Sequence, residues 1–373
     1  MATRRLEIVQ CVRGLAASMV VLLHFKDYLV TVAPGLSNFL SHGYLGVDVF
    51  FVVSGFIIYV STANPAARAP GGFLLRRFCR VVLPAWVALL LMSLAKPPYL
   101  RDLVSSVFFV PLHNVDPPFY GHSVLIVAWT LSYELVFYAV FAAVMVFDLG
   151  RRRRGLMASL ALLVLVLLVQ TQLGGCCTLA ATGAPLYPGQ AFPATLVSLL
   201  GNPMLLEFVV GLGLAWVYLN QGFRRPAWQL RAVLLSALPV LYGVIQFQYR
   251  SGHGFTHGGL LAVLLVFYAL CLQALLDEAA LPGGRVLAWL SGLGEMSYSL
   301  YLIHPVIKSL LGRPAVAAAL DGAVSPGLKF LLAVLCSGLA AYGFYRWVEL
   351  PAQRLGRTLA DTGFSWPLRL RGS

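Results

Sequence analysis

Residues 10–32 read QCVRGLAASMVVLLHFKDYLVTV, an apolar run that is interrupted by Arg13, His24, Lys26 and Asp27. A helix that crosses the hydrocarbon core of a bilayer needs about 20 predominantly apolar residues. The run therefore predicts a membrane-spanning helix. The ionisable side chains inside it point to function, because charge is costly in lipid.

The composition of the whole chain supports the same class of protein. Of 373 residues, 59% are apolar and 11% are Asp, Glu, Lys or Arg, whereas soluble domains carry about 25% charged residues. Too little polar surface is left for a water-soluble enzyme, a coiled coil or a disordered chain. The net charge of +13 does not indicate a nucleic-acid partner, because the basic residues form no stripe with interleaved aromatic residues.

Apolar runs of this kind occur ten times, which predicts an all-α, polytopic integral membrane protein with about ten transmembrane helices in one bundle. The predicted spans are residues 10–32, 43–62, 79–95, 123–147, 155–173, 199–219, 231–247, 258–276, 294–312 and 326–348. We predict one transmembrane domain over residues 1–350, followed by a cytoplasmic tail over residues 351–373.

The basic residues orient these spans. Nineteen arginines lie in one set of alternating segments, and seven lysines and arginines lie in the opposite set. Lys and Arg accumulate in cytoplasmic loops because positive charge resists translocation. The bias therefore predicts that both termini are cytoplasmic.

Arg13 and His24 form the first candidate site. They are 11 residues apart, which in an α-helix is about three turns and a rise of about 16 Å. The two side chains therefore share one face of the helix, and Asp27, about one turn beyond His24, is placed to orient its ring. The alternative is that Arg13 extends its guanidinium toward the cytoplasm and that His24 is only a packing residue.

Other predicted spans also carry ionisable residues. Glu134 lies near mid-depth of the fourth span and needs a partner, for which the polar face of the first span is the obvious candidate; the alternative is a structural ion pair. His304 lies near mid-depth of the ninth span, either as a site residue or as compensation for the carbonyl that Pro305 leaves unpaired. The remaining residues of this kind are Asp48, Glu207 and Glu295.

A basic cluster precedes the third span on the predicted cytoplasmic side and contains Arg76, Arg77 and Arg80. Guanidinium groups bind phosphates through paired hydrogen bonds, so this cluster would hold a phosphorylated cytosolic donor. The alternative is a purely topological anchor. Soluble-enzyme motifs such as GxSxG, GxxxxGK[ST] and HExxH are absent, and no residue spacing indicates a metal site.

Five ordered blocks together resemble the acyltransferase-3 family of bacterial membrane acyltransferases over nearly the whole chain. The blocks are Arg13-(ten residues)-His24, Gly46–Phe56, Arg76–Arg80 followed by Pro84, Trp129–Tyr138 and Ser297–Pro305. The segment Val348-Glu349-Leu350-Pro351 departs from the commoner E-R-P of the family. The chain looks most like the branch of exopolysaccharide acetyltransferases.

The resemblance implies a multi-pass enzyme of the bacterial inner membrane, in contact with membrane lipids. It implies O-acylation, with acetyl as the expected group, of a cell-surface or exported polysaccharide or of a lipid-linked saccharide. The co-substrate would be cytosolic acyl-CoA, such as acetyl-CoA, and no permanently bound cofactor is expected.

A mechanism follows from the candidate residues. A sugar hydroxyl benefits from a general base at neutral pH, and we predict that His24 is this base. Glu134, or else Asp27, would hold the imidazole, and a covalent acyl-His24 relay is the variant mechanism. The candidates for stabilising charge on the thioester oxygen are Arg13, Tyr133 and Ser132. Further residues predicted to contact substrate or to be structural are Asp48, Tyr301 and His304.

Two other classes of protein compete with an enzyme. A proton-coupled transporter or glycan flippase would also carry Arg, His and Glu inside its spans, but such folds usually contain repeats and paired broken helices, and the sequence shows no repeat pairing. A catalytically inactive scaffold is disfavoured by the cost of placing these ionisable residues in a membrane.

Overall fold

The computed structural model describes residues 6–62, 69–121, 123–147, 149–175, 177–189, 192–220, 252–279 and 285–362. Over these residues the protein is helical, and its one β-type contact is an isolated antiparallel bridge between Ala180 and Gly254. The prediction of an all-α fold is confirmed. The helices are α1 Glu7–Phe25, α2 Pro34–Leu40, α3 Leu45–Ser61, α4 Pro70–Arg77, α5 Leu83–Ala95, α6 Leu100–Val107, α7 Trp129–Met145, α8 Arg151–Gln172, α9 Phe192–Leu200, α10 Leu205–Leu219, α11 Gly259–Ala279, α12 Arg285–Glu295, α13 Ser297–Leu311, α14 Pro314–Ala323, α15 Pro326–Phe344 and α16 Leu350–Asp361.

The described residues contain seven helical segments that are long and apolar enough to cross a membrane. They are Glu7–Leu29, Pro34–Ser61, Pro70–Ala95, Ile126–Met145, Arg151–Gln172, Pro193–Leu219 and Pro326–Asp361. These segments correspond to the first six predicted spans and to the tenth, so the predicted count of ten is not confirmed.

The other three predicted spans have different outcomes. Residues 258–276 are helical within α11, whose apolar part is shorter than the seven segments. Residues 294–312 contain α13, which has 15 residues and is therefore about 22 Å long, less than the roughly 30 Å of a hydrocarbon core. Residues 231–247 lie outside the described residues.

α3 is the most enclosed helix of the core and packs closely against α10. A Cβ added to Gly55 would lie 2.2 Å from the carbonyl oxygen of Phe208, and one added to Gly211 would lie 2.1 Å from that of Val52. Only glycine allows the two backbones to approach this closely, as in other membrane helix pairs. The contact fixes the depth and rotation of α3, and therefore the position of Ser54 beside Gly55.

Two π-helical turns, each followed by Leu-Pro, shape the ends of two helices. Residues Phe78–Val82 precede Leu83 and Pro84, and residues Tyr345–Glu349 precede Leu350 and Pro351. A proline has no N–H and its ring clashes with the carbonyl four residues earlier, so the ordinary helical bond is replaced by a wider turn. Such turns are frequent at functional sites, and these two carry Arg80 and Glu349.

The predicted tail is partly an ordered helix. α16 packs against the segment that carries the basic cluster, and a Cβ on Gly356 would lie 2.7 Å from the Cβ of Cys79. Residues 363–373 lie outside the described residues. The C-terminal helix therefore supports the arginine-bearing turn from one side.

Candidate active site

A cavity of about 80 Å³ lies between α1, α3, α7 and α13, with the arginine-bearing turn at its end. A cavity of this volume holds several water molecules. Its polar lining includes Arg13, Arg77, Arg80, Glu134, Tyr138 and Tyr301. α3 contributes an apolar wall that includes Val47, Phe50, Phe51 and Ile57. We call this space the arginine cavity.

The charges of the arginine cavity favour an anion. Three guanidinium groups and one carboxylate line it, and Arg13 is buried, so its charge is poorly screened by water. Arg13 donates a hydrogen bond to Gln10 Oε1 at 2.9 Å and interacts electrostatically with Arg80, Glu349 and Glu134. The excess of positive charge suits a phosphate or a developing oxyanion.

Glu134 holds the wall of the cavity together. Its Oε1 accepts a hydrogen bond from Ser54 on α3 at 3.0 Å and another from Tyr138, one turn along its own helix. The carboxylate therefore ties α7 to α3 and supplies the negative charge among the three arginines.

Arg77 reaches the cavity, whereas Arg76 does not line it. The guanidinium carbon of Arg77 lies 5.5 Å from the ring centroid of Phe73 and 5.6 Å from that of Tyr138, a cation–π arrangement. The Arg76 guanidinium instead lies near Gly72 and α16. The structure thus brings two of the three predicted cluster arginines to the cavity.

Glu349 is an acidic residue that sequence reasoning did not select as part of the site. It is fully buried and accepts hydrogen bonds from Ser299 Oγ at 2.5 Å and from Gln353 Nε2 at 2.9 Å. Arg13 and Arg80 are the cations that interact with it. The available signal was an acidic residue two positions before Pro351 in an otherwise apolar segment.

His24 and His304 meet between α1 and α13. His24 Nδ1 lies 3.2 Å from His304 Nε2, and the ring centroids are 4.9 Å apart. His24 Nδ1 is also 2.8 Å from the carbonyl oxygen of Val20, and His304 Nδ1 is 3.0 Å from that of Leu300. His304 is fully buried and His24 is half-buried. We call these two rings the histidine pair.

The ring partner of His24 differs from the one predicted from sequence. Glu134, predicted to hold the imidazole, is bonded to Ser54 and Tyr138 in the arginine cavity. The reason is depth, because Glu134 shares a cavity with Arg13, and Arg13 and His24 are separated by about 16 Å along α1. His304, predicted as a substrate-contacting or structural residue, takes the place beside the ring.

Tyr301 connects the two groups of residues. It lines the arginine cavity, and its ring centroid is 6.2 Å from that of His304. Its hydroxyl donates to the carbonyl of Val127 at 3.0 Å and shares a hydrogen bond with Thr130 Oγ1 at 3.0 Å. The side chain therefore lies between the cavity and the histidine pair and is anchored to the start of α7.

Two predicted acidic residues have partners outside the cavity. Asp27 forms ion pairs with Lys26 at 3.4 Å and with Lys308 at 3.7 Å, so its predicted role as orienter of His24 has no support in these contacts. Asp48 bonds with His253 Nδ1 at 2.9 Å and accepts a hydrogen bond from the amide of Gly254 at 3.0 Å. Asp48 therefore fastens the segment before α11 to α3.

The two predicted hydroxyl donors on α7 also bond elsewhere. Tyr133 donates to the carbonyl of Pro118 at 2.8 Å, and Ser132 donates to that of Phe109 at 2.8 Å. Both partners belong to the connection between α6 and α7. This leaves Arg13, of the three predicted stabilisers of the thioester oxygen, as the residue that lines the cavity.

Comparison with known proteins identifies the family of the chain. A family model described as an acyltransferase domain matches residues 6–346. Over 330 residues the chain is 30% identical to the exopolysaccharide production protein ExoZ of Rhizobium meliloti (strain 1021), a match that covers 84% of this chain and 91% of that protein. No solved structure matches the chain significantly. Together with the apolar helices, these findings show that the chain belongs to the acyltransferase-3 family of membrane acyltransferases.

Proposed function

We propose that the protein transfers an acyl group, acetyl by expectation, from cytosolic acyl-CoA to a hydroxyl of an exported or cell-surface polysaccharide. The observation that carries the proposal is the arginine cavity, which lies inside the helical bundle and reaches Tyr301, whose ring centroid is 6.2 Å from that of His304 in the histidine pair. The ExoZ relative, whose name concerns exopolysaccharide production, supports a polysaccharide or its lipid-linked unit as the acceptor.

The arginine cavity is the donor side in this proposal. Coenzyme A carries phosphates at one end and a thioester at the other, joined by a narrow arm. Arg77 and Arg80 lie where the basic cluster meets α5 and would receive phosphate oxygens, while the buried Arg13 lies deeper. The apolar wall from α3 suits the methylene and methyl groups of the uncharged arm.

The transfer step uses His24 as the general base. The acceptor oxygen attacks the thioester carbon, its proton passes to the imidazole of His24, and the carbon–sulfur bond breaks. The thiolate that leaves then takes up the proton. A general base of this kind contributes about 10²–10⁴ in rate. Arg13, whose backbone lies about 16 Å from that of His24 along α1, would instead hold a phosphate or the arm of the donor.

Purified protein in lipid nanodiscs tests the function directly. With acetyl-CoA and the polysaccharide of the producing cell, we expect release of free coenzyme A and a gain of acetyl mass on the polysaccharide. His24→Ala should lower the rate by at least about 100-fold, while His42→Ala, which removes an imidazole from the segment before α3, should not. Counter-flow of an unmodified solute without acetyl-CoA would instead indicate a transporter.

The donor site has its own test. Arg77→Gln and Arg80→Gln should each raise the KM for acetyl-CoA about tenfold, since a hydrogen bond to a charged group contributes about 1.5–3 kcal/mol. Arg153→Gln is the matched control, because Arg153 is an exposed arginine at the start of α8. An unchanged KM in both cavity variants would remove the donor from this site.

A further inference from the structure

The histidine pair joins two helices that are far apart in the chain. His24 ends α1 and His304 lies in the middle of α13, and their nearest ring nitrogens are 3.2 Å apart. Two neutral imidazoles at this distance form a hydrogen bond only if one nitrogen carries a proton and the other a lone pair. The protonation pattern of the pair therefore decides what His24 can do.

Backbone carbonyls determine this pattern. His24 Nδ1 lies 2.8 Å from the carbonyl oxygen of Val20, and His304 Nδ1 lies 3.0 Å from that of Leu300. Carbonyl oxygens only accept hydrogen bonds, so both Nδ1 atoms carry the proton. The lone pair of His304 is then on Nε2, facing the Nδ1–H of His24, and the lone pair of His24 is on its own Nε2.

Contacts on both sides of His304 fix α13 to its neighbours. One turn after His304, the ammonium of Lys308 donates to the backbone carbonyl of His24 at 2.5 Å. One turn before it, Tyr301 is anchored to the carbonyl of Val127 at 3.0 Å. His304 itself is fully buried, so its ring has little freedom to turn away from His24.

We propose that His304 is the positioning residue of the acyl transfer: its Nε2 accepts from the His24 Nδ1–H that the Val20 carbonyl selects, and fixes the plane of the His24 ring so that Nε2 of His24 takes the proton of the acceptor hydroxyl. The proposal rests on the proposed function. When His24 receives that proton, its Nδ1–H bond to His304 becomes charge-assisted and therefore stronger. His304 thus does for His24 what the third group of a catalytic triad does for its base.

Substitutions at position 304 distinguish a side chain that positions His24 through a hydrogen bond from one that only fills the buried space. His304→Leu fills the buried site without a hydrogen-bond acceptor, whereas His304→Gln keeps a side-chain amide oxygen that accepts. We expect His304→Leu to lower kcat about 10–100-fold, a share of the roughly 10²–10⁴ that a general base supplies. The KM for acetyl-CoA should stay within about twofold, because the arginine cavity is untouched, and His304→Gln should recover about tenfold of the lost kcat. Leu302→Val, at a buried neighbour on α13, is the matched control and should keep kcat within about twofold.

Nitrogen-15 NMR of histidine-labelled protein reads the tautomer without any turnover. In the wild-type protein, His24, assigned by the signals lost in His24→Ala, should show a protonated Nδ1 and an unprotonated Nε2. An Nε2-protonated His24 would overturn the proposal, even if His304→Leu fails to fold. An unchanged kcat in His304→Leu would also overturn the proposal. So would a loss of kcat and of stability that is the same in His304→Gln as in His304→Leu, because that result would indicate packing alone. If the wild-type protein has the expected tautomer but transfers no acyl group from any acyl-CoA, the proposed function fails and the hydrogen-bond assignment stands.

Discussion

Tyr138 donates a hydrogen bond to Glu134 one turn earlier in α7, inside a cavity that also contains three guanidinium groups. A hydrogen bond to a charged group contributes about 1.5–3 kcal/mol. In a double-mutant cycle of Tyr138→Phe and Glu134→Leu, we therefore expect a coupling of about 1–3 kcal/mol in the free energy of unfolding. Denaturant unfolding of the protein in detergent, followed by tryptophan fluorescence, measures this coupling.

The control for this cycle is Tyr133→Phe, because the Tyr133 hydroxyl donates to Pro118. Its effect should add to that of Glu134→Leu within about 0.5 kcal/mol. If Tyr138→Phe were equally additive, Glu134 would be held by the arginines and Ser54 alone, and the contact with Tyr138 would be energetically neutral.

The sequence was sufficient to select the charged residues of the site, but not to predict which of them contact each other. Arg13, Arg77, Arg80 and Glu134 were candidates because ionisable residues in or beside apolar spans are expensive and therefore informative. The predicted contact of Glu134 with the first span is present at Arg13 and not at His24. Which of the two residues it meets depends on the relative depth and rotation of the helices, which periodicity within one helix does not contain.

Close backbone contact between α3 and α10 yields a prediction at the level of helix pairs. Because a Cβ on Gly211 would lie 2.1 Å from a carbonyl oxygen of α3, Gly211→Ala must push the helices apart. We expect a loss of about 1–3 kcal/mol in the free energy of unfolding, as for other overpacked sites. The same unfolding assay measures it.

Gly213 provides the matched control on the same helix. A Cβ at this position meets no atom within 4 Å, so Gly213→Ala should be neutral or stabilising by up to about 1 kcal/mol through helix propensity alone. Equal destabilisation by both alanines would mean that flexibility of α10, and not its contact with α3, is what the glycines provide.

The π turn before α5 yields a second prediction of this kind. Pro84→Ala restores a backbone N–H, so the wide turn at Phe78–Val82 can close to an ordinary α-helical turn. The change from a π turn to an α turn shifts the hydrogen-bond register by one residue. It therefore rotates the chain before α5 by about 100° relative to α5 and would carry Arg80 away from the cavity. We expect the KM for acetyl-CoA to rise about tenfold, equivalent to about 1.4 kcal/mol, in the coenzyme A release assay.

Pro326→Ala is the control for this experiment. Pro326 lies in the first turn of α15, where a proline costs no helical hydrogen bond, so the KM should be unchanged. A Pro84→Ala enzyme with wild-type KM would show that the π turn does not position Arg80 for the donor.

At the level of elements, the sequence predicted the helices but not their irregularities. The apolar runs located seven helical segments long and apolar enough to span a membrane, although these segments extend up to 13 residues beyond the predicted bounds. They did not predict that α13 has only 15 residues or that residues 350–361 form a helix against α4. Pro84 and Pro351 were visible, but a proline permits a kink, a break or a π turn, and the packing of the neighbouring helices selects among them.

Across the whole molecule, the arginine end of the cavity and the histidine pair lie toward opposite ends of α1. The cavity extends along α3 from Val47 to Ile58. Its arginine end is formed by Arg13 early in α1, by Ile58 late in α3 and by Arg77 and Arg80 before α5. Successive spans run in opposite directions, so these parts lie toward one side of the membrane. His24 is at the far end of α1, and Arg313 on that side donates to the carbonyl of Leu94 at the end of α5, at 3.0 Å. Donor and acceptor would therefore approach from different sides.

Fusions of the chain to reporter proteins test this two-sided arrangement. The distribution of basic residues predicts that residue 96 is outside the cytoplasm and that residues 154 and 373 are inside it. Alkaline phosphatase, which is active only outside the cytoplasm, should be active when fused after Lys96 and inactive when fused after Arg154 or Ser373, while green fluorescent protein should show the reverse pattern. At each site the two reporters control for each other, because a fusion site that prevents expression gives neither phosphatase activity nor fluorescence. An active phosphatase after Ser373 would invert the bundle and turn the arginine cavity away from cytosolic acyl-CoA, which would contradict the donor route while leaving the histidine pair in place.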